Sequence, residues 1–390
     1  MCVVDRRGRN DAEKAGRRAG QQQPCTMSVR KATIADVAQL AGVSTATAGR
    51  VLGGYGYSSE DKKARVLRAA ETLGYQPNHL ARSLITGRTR TIGVVTAGIQ
   101  RQLYAAIVRG IADTAEREGF GVLIANSDET PDEELRAIRN LTARQVDGLI
   151  VAPCGDSSDA HLRGLDGQLP IVLLDREVAG LDVDSVAIDN VGAARDCVAR
   201  LIAAGHEAIG LAIDLPRTEA RSAADFVTRP RSRGLAKESM LHPGWQRFHG
   251  YLLAHEDAGL QVDLSLLAQV ADRRAEAAET AALDLLQAPR RPTALVAGSA
   301  RMTRGIMSAL LKTGHRIPDD LSFVGFDDLD WMSFMSPGYD AVAQPRRRMG
   351  ETAAKMLIDR ISGLAEAPRH LRLAPRQAMR GSVRAIAAGG

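Results

Sequence analysis

The sequence predicts a small all-α helix-turn-helix head followed by an α/β body with parallel sheets in two lobes. Three observations carry this. Residues 33–52, TIADVAQLAGVSTATAGRVL, hold two short apolar-periodic segments joined at a glycine. From Thr91 onward, strand-like apolar runs alternate with amphipathic helical ones, the order that builds a parallel sheet with helices on both faces. The chain has 390 residues, and roughly 300 of them in such units exceed one ordinary core, so two lobes are expected.

Residues 1–30 are polar, rich in Arg, Gly and Gln, and lack periodicity; they read as a disordered basic tail. Met27 stands just before the first patterned segment and is an alternative start to Met1. The head is expected over 31–75. Ile34, Val37, Ala38 and Ala41 recur at helical spacing. Thr33 is a plausible N-cap and Gly42 a left-handed stop. Ser44 opens a second helix with Ala48, Val51 and Leu52 on its inner face. Ser59, Glu60 and Asp61 open a third through Val66, Ala69, Ala70 and Leu73. Pro77 blocks its continuation, and 76–90 becomes a linker with a short helix from Asn78 to before Gly87.

The body is expected over 91–390. Strands are predicted at 91–97, 121–127, 147–153, 170–175, 208–213, 293–298 and 321–326. Helices are predicted at 103–118, 131–143, 191–204, 245–258, 273–287 and 302–313. Residues 215–244 interrupt the rhythm with a run rich in Arg, Ser and Pro, read as a surface loop.

Charge separates head from body. Residues 1–90 hold 16 Lys/Arg and 7 Asp/Glu, a balance of +9, and the remaining 300 hold 35 and 39, a balance of −4. A basic head suggests a polyanionic partner; a basic tail alone would explain part of it. Cys2, Cys25, Cys154 and Cys197 show no metal-type or redox spacing, so inert thiols, no metal and no cofactor are expected. No apolar run approaches the roughly 20 residues of a membrane helix, and MCVVDRRGRN lacks a secretory core. A cytoplasmic protein is expected.

Together these residues resemble the LacI (lactose repressor-type) family of transcription regulators. The likeness runs from about Ala32 to about Arg384. It is carried by ATIADVAQLAGVSTATAGRVL, LGYQPNHLARSLITGRTRTIGVV, RQVDGLIVAP, VDSVAIDN, Gly205–His206, RIPDDLSFVGFDD and AVAQP. It implies a homodimer on a pseudo-palindromic double-stranded DNA operator. Each subunit would have a DNA-binding head, a hinge helix and a two-lobed body like periplasmic sugar-binding proteins. A metabolite, often a sugar or nucleobase, would bind between the lobes and change their closure.

For the DNA site, the outer face of the second helix offers Thr45, Ala46, Gly49 and Arg50. The resemblance gives Thr45 and Ala46 the base preference and Arg50 a base contact, Arg to guanine being the commonest specific pair; a phosphate contact is the alternative. Ser44, Thr47 and Thr33 suit phosphate. Tyr57 and Tyr55 either reach the backbone or pack. Ala48–Gly49 departs from the family's Val-Ser. Asn78, Ala81 and Leu84 stand where the family places its minor-groove helix, with Leu84 as the apolar wedge or packed against the body. A helix so short is marginal alone, so a ligand that separates paired hinges would melt them.

For the effector site, polar groups at the C-terminal ends of parallel strands converge on a crevice. Asp175 and Arg176 end one strand and Asp327 another. Arg247 matches the family's ligand-binding Arg. A carboxylate pair with an Arg suits polyol hydroxyls, or an acid sugar whose carboxylate meets that Arg. Ser299 stands where the family often has Asn, and Trp331 either stacks on a sugar or base or packs in the core. Asp175 and Arg176 either bind ligand or pair with each other or with the lobe interface, and a salt bridge is the alternative to ligand contact for Asp327 and Arg247. After the first strand the family often has Asp and then Asn-Pro-Phe-Phe, where this chain has Gly98 and then Arg101, Gln102, Leu103 and Tyr104; Arg101 adds positive charge and raises the idea of an anionic effector.

Other classes fare worse. An enzyme would show a GxSxG elbow, a Walker loop, a GxGxxG after a strand or a metal cluster, and the sequence has none. A transport component has no use for a helix-turn-helix. A regulator with a degenerate pocket stays open. No heptad extension follows SVRAIAAGG, which argues against a coiled-coil tetramer.

Overall fold

The computed structural model describes residues 32–53, 56–75, 87–154, 160–165, 167–178, 180–216, 220–228, 241–271 and 274–386. The expected tail (1–30), Tyr55, and Asn78, Ala81 and Leu84 of the expected hinge lie outside the described residues. The chain divides into an N-terminal unit, residues 1–82, and a C-terminal unit, residues 83–390.

In the N-terminal unit, α1 (Ile34–Ala41), α2 (Thr45–Gly53) and α3 (Glu60–Thr72) close around one small core. Val37, Ala48 and Val66 are fully buried there, with Ala38, Ala41, Ala69 and Ala70 around them. The turn between α1 and α2 follows from one residue. Gly42 takes φ 65°, a left-handed conformation that glycine adopts without strain. Its N–H then donates to the Gln39 carbonyl and that of Val43 to the Ala38 carbonyl, the paired bonds of a Schellman stop. Leu73, expected on the inner face of α3, lies beyond the helix end and is exposed; Tyr75 packs against the core instead.

In the C-terminal unit, β1 (Thr91–Thr96), β2 (Gly121–Asn126), β3 (Gly148–Val151), β4 (Ile171–Leu174), β5 (Asp184–Ile188) and β11 (His370–Leu373) form one sheet. Its order is β11-β5-β4-β3-β1-β2, and every pairing is parallel. A second sheet holds β6 (Ile209–Asp214), β7 (Leu267–Val270), β8 (Ala294–Ala297), β9 (Ser322–Phe326), β10 (Asp340–Ala343) and β12 (Arg376–Ala378). Its order is β12-β10-β9-β8-β6-β7, parallel except for β12. The two orders correspond strand for strand, so the lobes repeat one design.

Helices cover the sheets. The first lobe carries α4 (Gln102–Arg117), α5 (Pro131–Ala143), α6 (Ala160–Arg163) and, from far along the chain, α12 (Arg346–Ile361). The second carries α7 (Asn190–Ala203), α8 (Ala223–Thr228), α9 (Pro243–Asp257), α10 (Ala275–Leu286) and α11 (Ala300–Thr313). The chain passes between lobes three times, after β5, after β10 and after β11. The α4–α12 crossing is close because glycines stand on both sides. A Cβ at Gly350 would fall inside the contact distance of the Ile107 carbonyl, and one at Gly110 inside that of Arg347.

The predicted strands and helices appear within about two residues of their expected ends, the scatter usual for element boundaries. Elements without a predicted counterpart are α6, β5 and β7 and, beyond residue 326, β10, α12, β11 and β12. The stretch 215–244 is more than a surface loop. Within it α8 buries Phe226, which stacks on the fully buried Trp245 at 4.8 Å between ring centres. Among the described residues, no helix is long and apolar enough to cross a membrane.

Candidate nucleic-acid interface and ligand cleft

The head fixes its exposed helix by capping. Thr33 Oγ1 accepts from the Asp36 N–H at 3.3 Å, and the Asp36 carboxylate accepts from the Thr33 N–H at 2.8 Å, a reciprocal capping box that anchors α1. Ser44 Oγ accepts from the Thr47 N–H at 3.2 Å and shares a hydrogen bond with Thr47 Oγ1 at 2.9 Å. Those caps set the rotation of α2 by burying Ala48. Thr45, Ala46 and Arg50 then face solvent, with Gly49 half-buried beside them. The stem of Arg50 runs over Gly56, its Cδ 3.2 Å from where a Cβ would be. Gly56 has φ 75°. Tyr57 is 92% exposed, so the packing role left open for it falls away.

The second constellation lies at the C-terminal ends of β4 and β9, topologically equivalent strands. Asp175 follows β4 and Asp327 follows β9, and both have φ 73°. The Asp175 N–H donates to Val186 of β5 and that of Asp327 to Val342 of β10. Aspartate tolerates this left-handed geometry better than most residues. Holding it in both lobes aims two carboxylates out of two sheet ends. Asp327 is 6% exposed; it accepts from Gln344 Nε2 and from the Ala300 N–H.

Arg247, on α9 and 7% exposed, is held on three sides. Its Nε donates to Asn190 Oδ1 at 2.9 Å and its Nη1 to the Gly298 carbonyl at 2.8 Å. Its guanidinium lies over the Phe326 ring, 3.9 Å from the centroid. Burial lowers its pKa, opposed by the charges of Asp327 and Asp175. Burial raises the pKa of Asp175. Arg247 opposes that rise, Asp327 adds to it and Arg176 opposes it. These couplings tie the groups of both lobes into one cluster. Tyr104, buried on α4, belongs to it, its phenol pushed well up by burial and then by Asp175.

Arg176 is 5% exposed. Its Nε and Nη2 and the Oδ1 of Asp175 have no hydrogen-bond partner among the described residues. The two neighbours leave these three atoms without a hydrogen bond, although the Arg176 charge still acts on Asp175. Ser299 caps α11 and donates to Asp214 at the end of β6, which also pairs with Arg301. Trp331 stays outside the charged cluster, half-buried with its ring edge-on to Tyr339. Arg101 pairs with Glu129 at 2.5 Å; its charge is matched and offers little to an anion. Cys154 and Cys197 are buried, and burial raises both thiols, that of Cys197 to about 12.

Sequence reasoning did not reach Asn190, Gln344 or Phe326, and met Tyr104 only as a departure from the family's pattern. Asn190 and Gln344 stand in VDSVAIDN and AVAQP, runs noted only for their likeness. Each follows the last residues of a strand, β5 or β10, at a passage between lobes.

Comparison with known proteins agrees with both parts. The model of "bacterial regulatory proteins, lacI family" matches residues 33–78. That of "periplasmic binding proteins and sugar binding domain of LacI family" matches residues 89–380. The chain is 32% identical over 326 residues to catabolite control protein A of Priestia megaterium, covering 83% of this chain and 91% of that protein. It resembles a lac repressor dimer solved on operator with an anti-inducer, at 25% identity and TM-score 0.74, covering 91% of this chain and 100% of the other. It also resembles a complex of the transcriptional regulator CelR with cellobiose, at 28% identity and TM-score 0.64, covering 90% and 99%. With a family model over most of its length and these relatives, the chain belongs to the LacI family of transcriptional regulators.

Proposed function

We propose that this regulator binds a pseudo-palindromic operator as a homodimer and is released from it, or secured on it, by a small molecule held between its lobes. The observation that carries this is the buried cluster joining Asp175 and Arg176 of one lobe to Arg247 and Asp327 of the other. Its groups stand at the sheet ends of both lobes, so a molecule seated there contacts both and favours one lobe closure; it acts on DNA binding because the operator also favours one closure.

Within this reading the parts are 31–75 as DNA-binding domain, 76–90 as hinge and 91–390 as ligand-binding and dimerisation body. Arg50 reads a base edge, with Thr45 and Ala46 setting preference. Ser44, Thr47, Thr33 and Tyr57 meet the backbone. Asn78, Ala81 and Leu84 enter the minor groove. Asp175, Arg176, Arg247 and Asp327 bind a sugar or sugar derivative, Ser299 supports Asp327 through the turn it caps, and Trp331 flanks the site. Ser299 and Trp331 are the weaker members, since each already has a structural task. The protein is a binder and not an enzyme. It works in the cytoplasm with the DNA.

The test couples two measurements. Compounds are screened for thermal stabilisation of the full chain, and each stabiliser is then added to a complex with selected DNA. A stabiliser that shifts operator affinity at least fivefold is expected. Stabilisers that leave DNA affinity untouched would refute the switch.

A further inference from the structure

Arg247 is the residue to which sequence logic would give an acidic group on the ligand. The structure takes that task from it. Its Nε and Nη1 already donate to Asn190 and Gly298, and its face lies on Phe326. Arg101 is matched by Glu129 and Arg301 by Asp214. Arg176 is different. It is 5% exposed, and the two nitrogens without a partner are Nε and Nη2. Those two N–H groups lie on the same edge of the guanidinium and point in parallel. That edge fits a carboxylate side-on, through two parallel charge-assisted hydrogen bonds. Next to it Asp175 Oδ1 is an acceptor with no donor.

Resting on the reading of this cleft as the effector site, we propose that the effector is a polyhydroxylated carboxylate, an aldonate or uronate. Its carboxylate takes the Nε–Nη2 edge of Arg176, and a neighbouring hydroxyl donates to Asp175 Oδ1. A neutral sugar satisfies Asp175 but leaves a buried guanidinium edge facing hydroxyl oxygens without charge. A phosphate ester brings a second negative charge close to Asp175 and Asp327, two carboxylates of the same cluster. A carboxylate brings one charge and the planar geometry that two parallel N–H groups match, with a hydroxyl on the adjacent carbon for Asp175.

Thermal shift of the full-length protein against matched pairs tests this. D-gluconate is compared with D-glucitol, D-galactonate with galactitol, and D-glucuronate with D-glucose, with D-glucose 6-phosphate and inorganic phosphate alongside. At least one acid is expected to raise the melting temperature by several degrees while its neutral partner does not. Arg176→Gln should abolish that shift. Arg176→Lys should leave only part of it, since an ammonium keeps the charge but loses the fork. The unliganded melting temperature of each variant reports folding separately, and if Arg176→Gln does not fold, the reduced shift in Arg176→Lys carries the test. A neutral partner equal to its acid, a phosphate outdoing the acids, no acid acting, or an undiminished shift in the variants would each overturn the proposal. Selection of random DNA on the same preparation separates the two levels. Enriched DNA without acid preference sinks only the ligand class. No enriched DNA sinks the regulator reading itself.

Discussion

Replacing Arg247 by Met removes the cation that holds the cleft cluster together while keeping much of its volume. Its two charge-assisted hydrogen bonds, to Asn190 and Gly298, are worth about 1.5–3 kcal/mol each. The contact with Phe326 at 3.9 Å adds about 2 kcal/mol for a desolvated cation. The gross loss is about 5–8 kcal/mol. Part returns because a buried guanidinium no longer needs desolvating, and breaking a buried charge arrangement from one side nets about 3–5 kcal/mol. The loss should also depend on pH. Burial already raises the Asp175 carboxyl, and Arg247 is the largest charge opposing that rise. Without it the carboxyl rises further and binds a proton more tightly folded than unfolded. The folded variant therefore gains on acidification, and its deficit against the parent narrows as pH falls toward the ordinary carboxylate range. Urea unfolding followed by tryptophan fluorescence measures this well. The two tryptophans, Trp245 and Trp331, both stand in the second lobe. A deficit below about 1 kcal/mol, or one that widens as pH falls, would refute the reasoning.

Three other outcomes follow from the same geometry. Arg50→Ala should cost about 1–3 kcal/mol of discrimination, roughly 5- to 150-fold, at one base step of the selected DNA; uniform weakening across sequences with a salt slope reduced by about one would make Arg50 a phosphate contact instead. Leu84→Ala should weaken operator binding about tenfold or more, as loss of a base-step wedge, while any ligand-induced melting shift stays; unchanged operator affinity refutes the wedge. Gly350→Val drives a side chain into the Ile107 carbonyl at the α4–α12 crossing and should cost about 1–3 kcal/mol or more, read as a lower melting temperature; an unchanged value would mean that the two helices separate freely.

Much of the head was legible because its signals are local. Thr33, Gly42 and Ser44 act on backbone within a few residues, so capping chemistry places α1 and α2 without tertiary information. Asp175 and Asp327 were legible for a related reason, each standing where an apolar run stops. The rest depended on distance along the chain. α12 opens with three arginines, yet Met349, Ala353, Leu357 and Ile361 at four-residue spacing line its buried side; its place is fixed by α4, more than 200 residues earlier. The engagement of Arg247 was hidden because its partners come from α7, the β8 end and β9. The unpartnered edge of Arg176 was hidden for the converse reason. Adjacent Asp and Arg look like a pair in sequence, and only the fold shows that they leave each other's polar atoms unmet.

Selection of the full-length protein against random double-stranded DNA tests the central claim most directly. The account predicts enrichment of two inverted half-sites, as a two-fold dimer with one recognition helix per half requires, and loss of preference at one base step of each half-site with Arg50→Ala. A preferred site without inverted symmetry, or no preferred site, would contradict it.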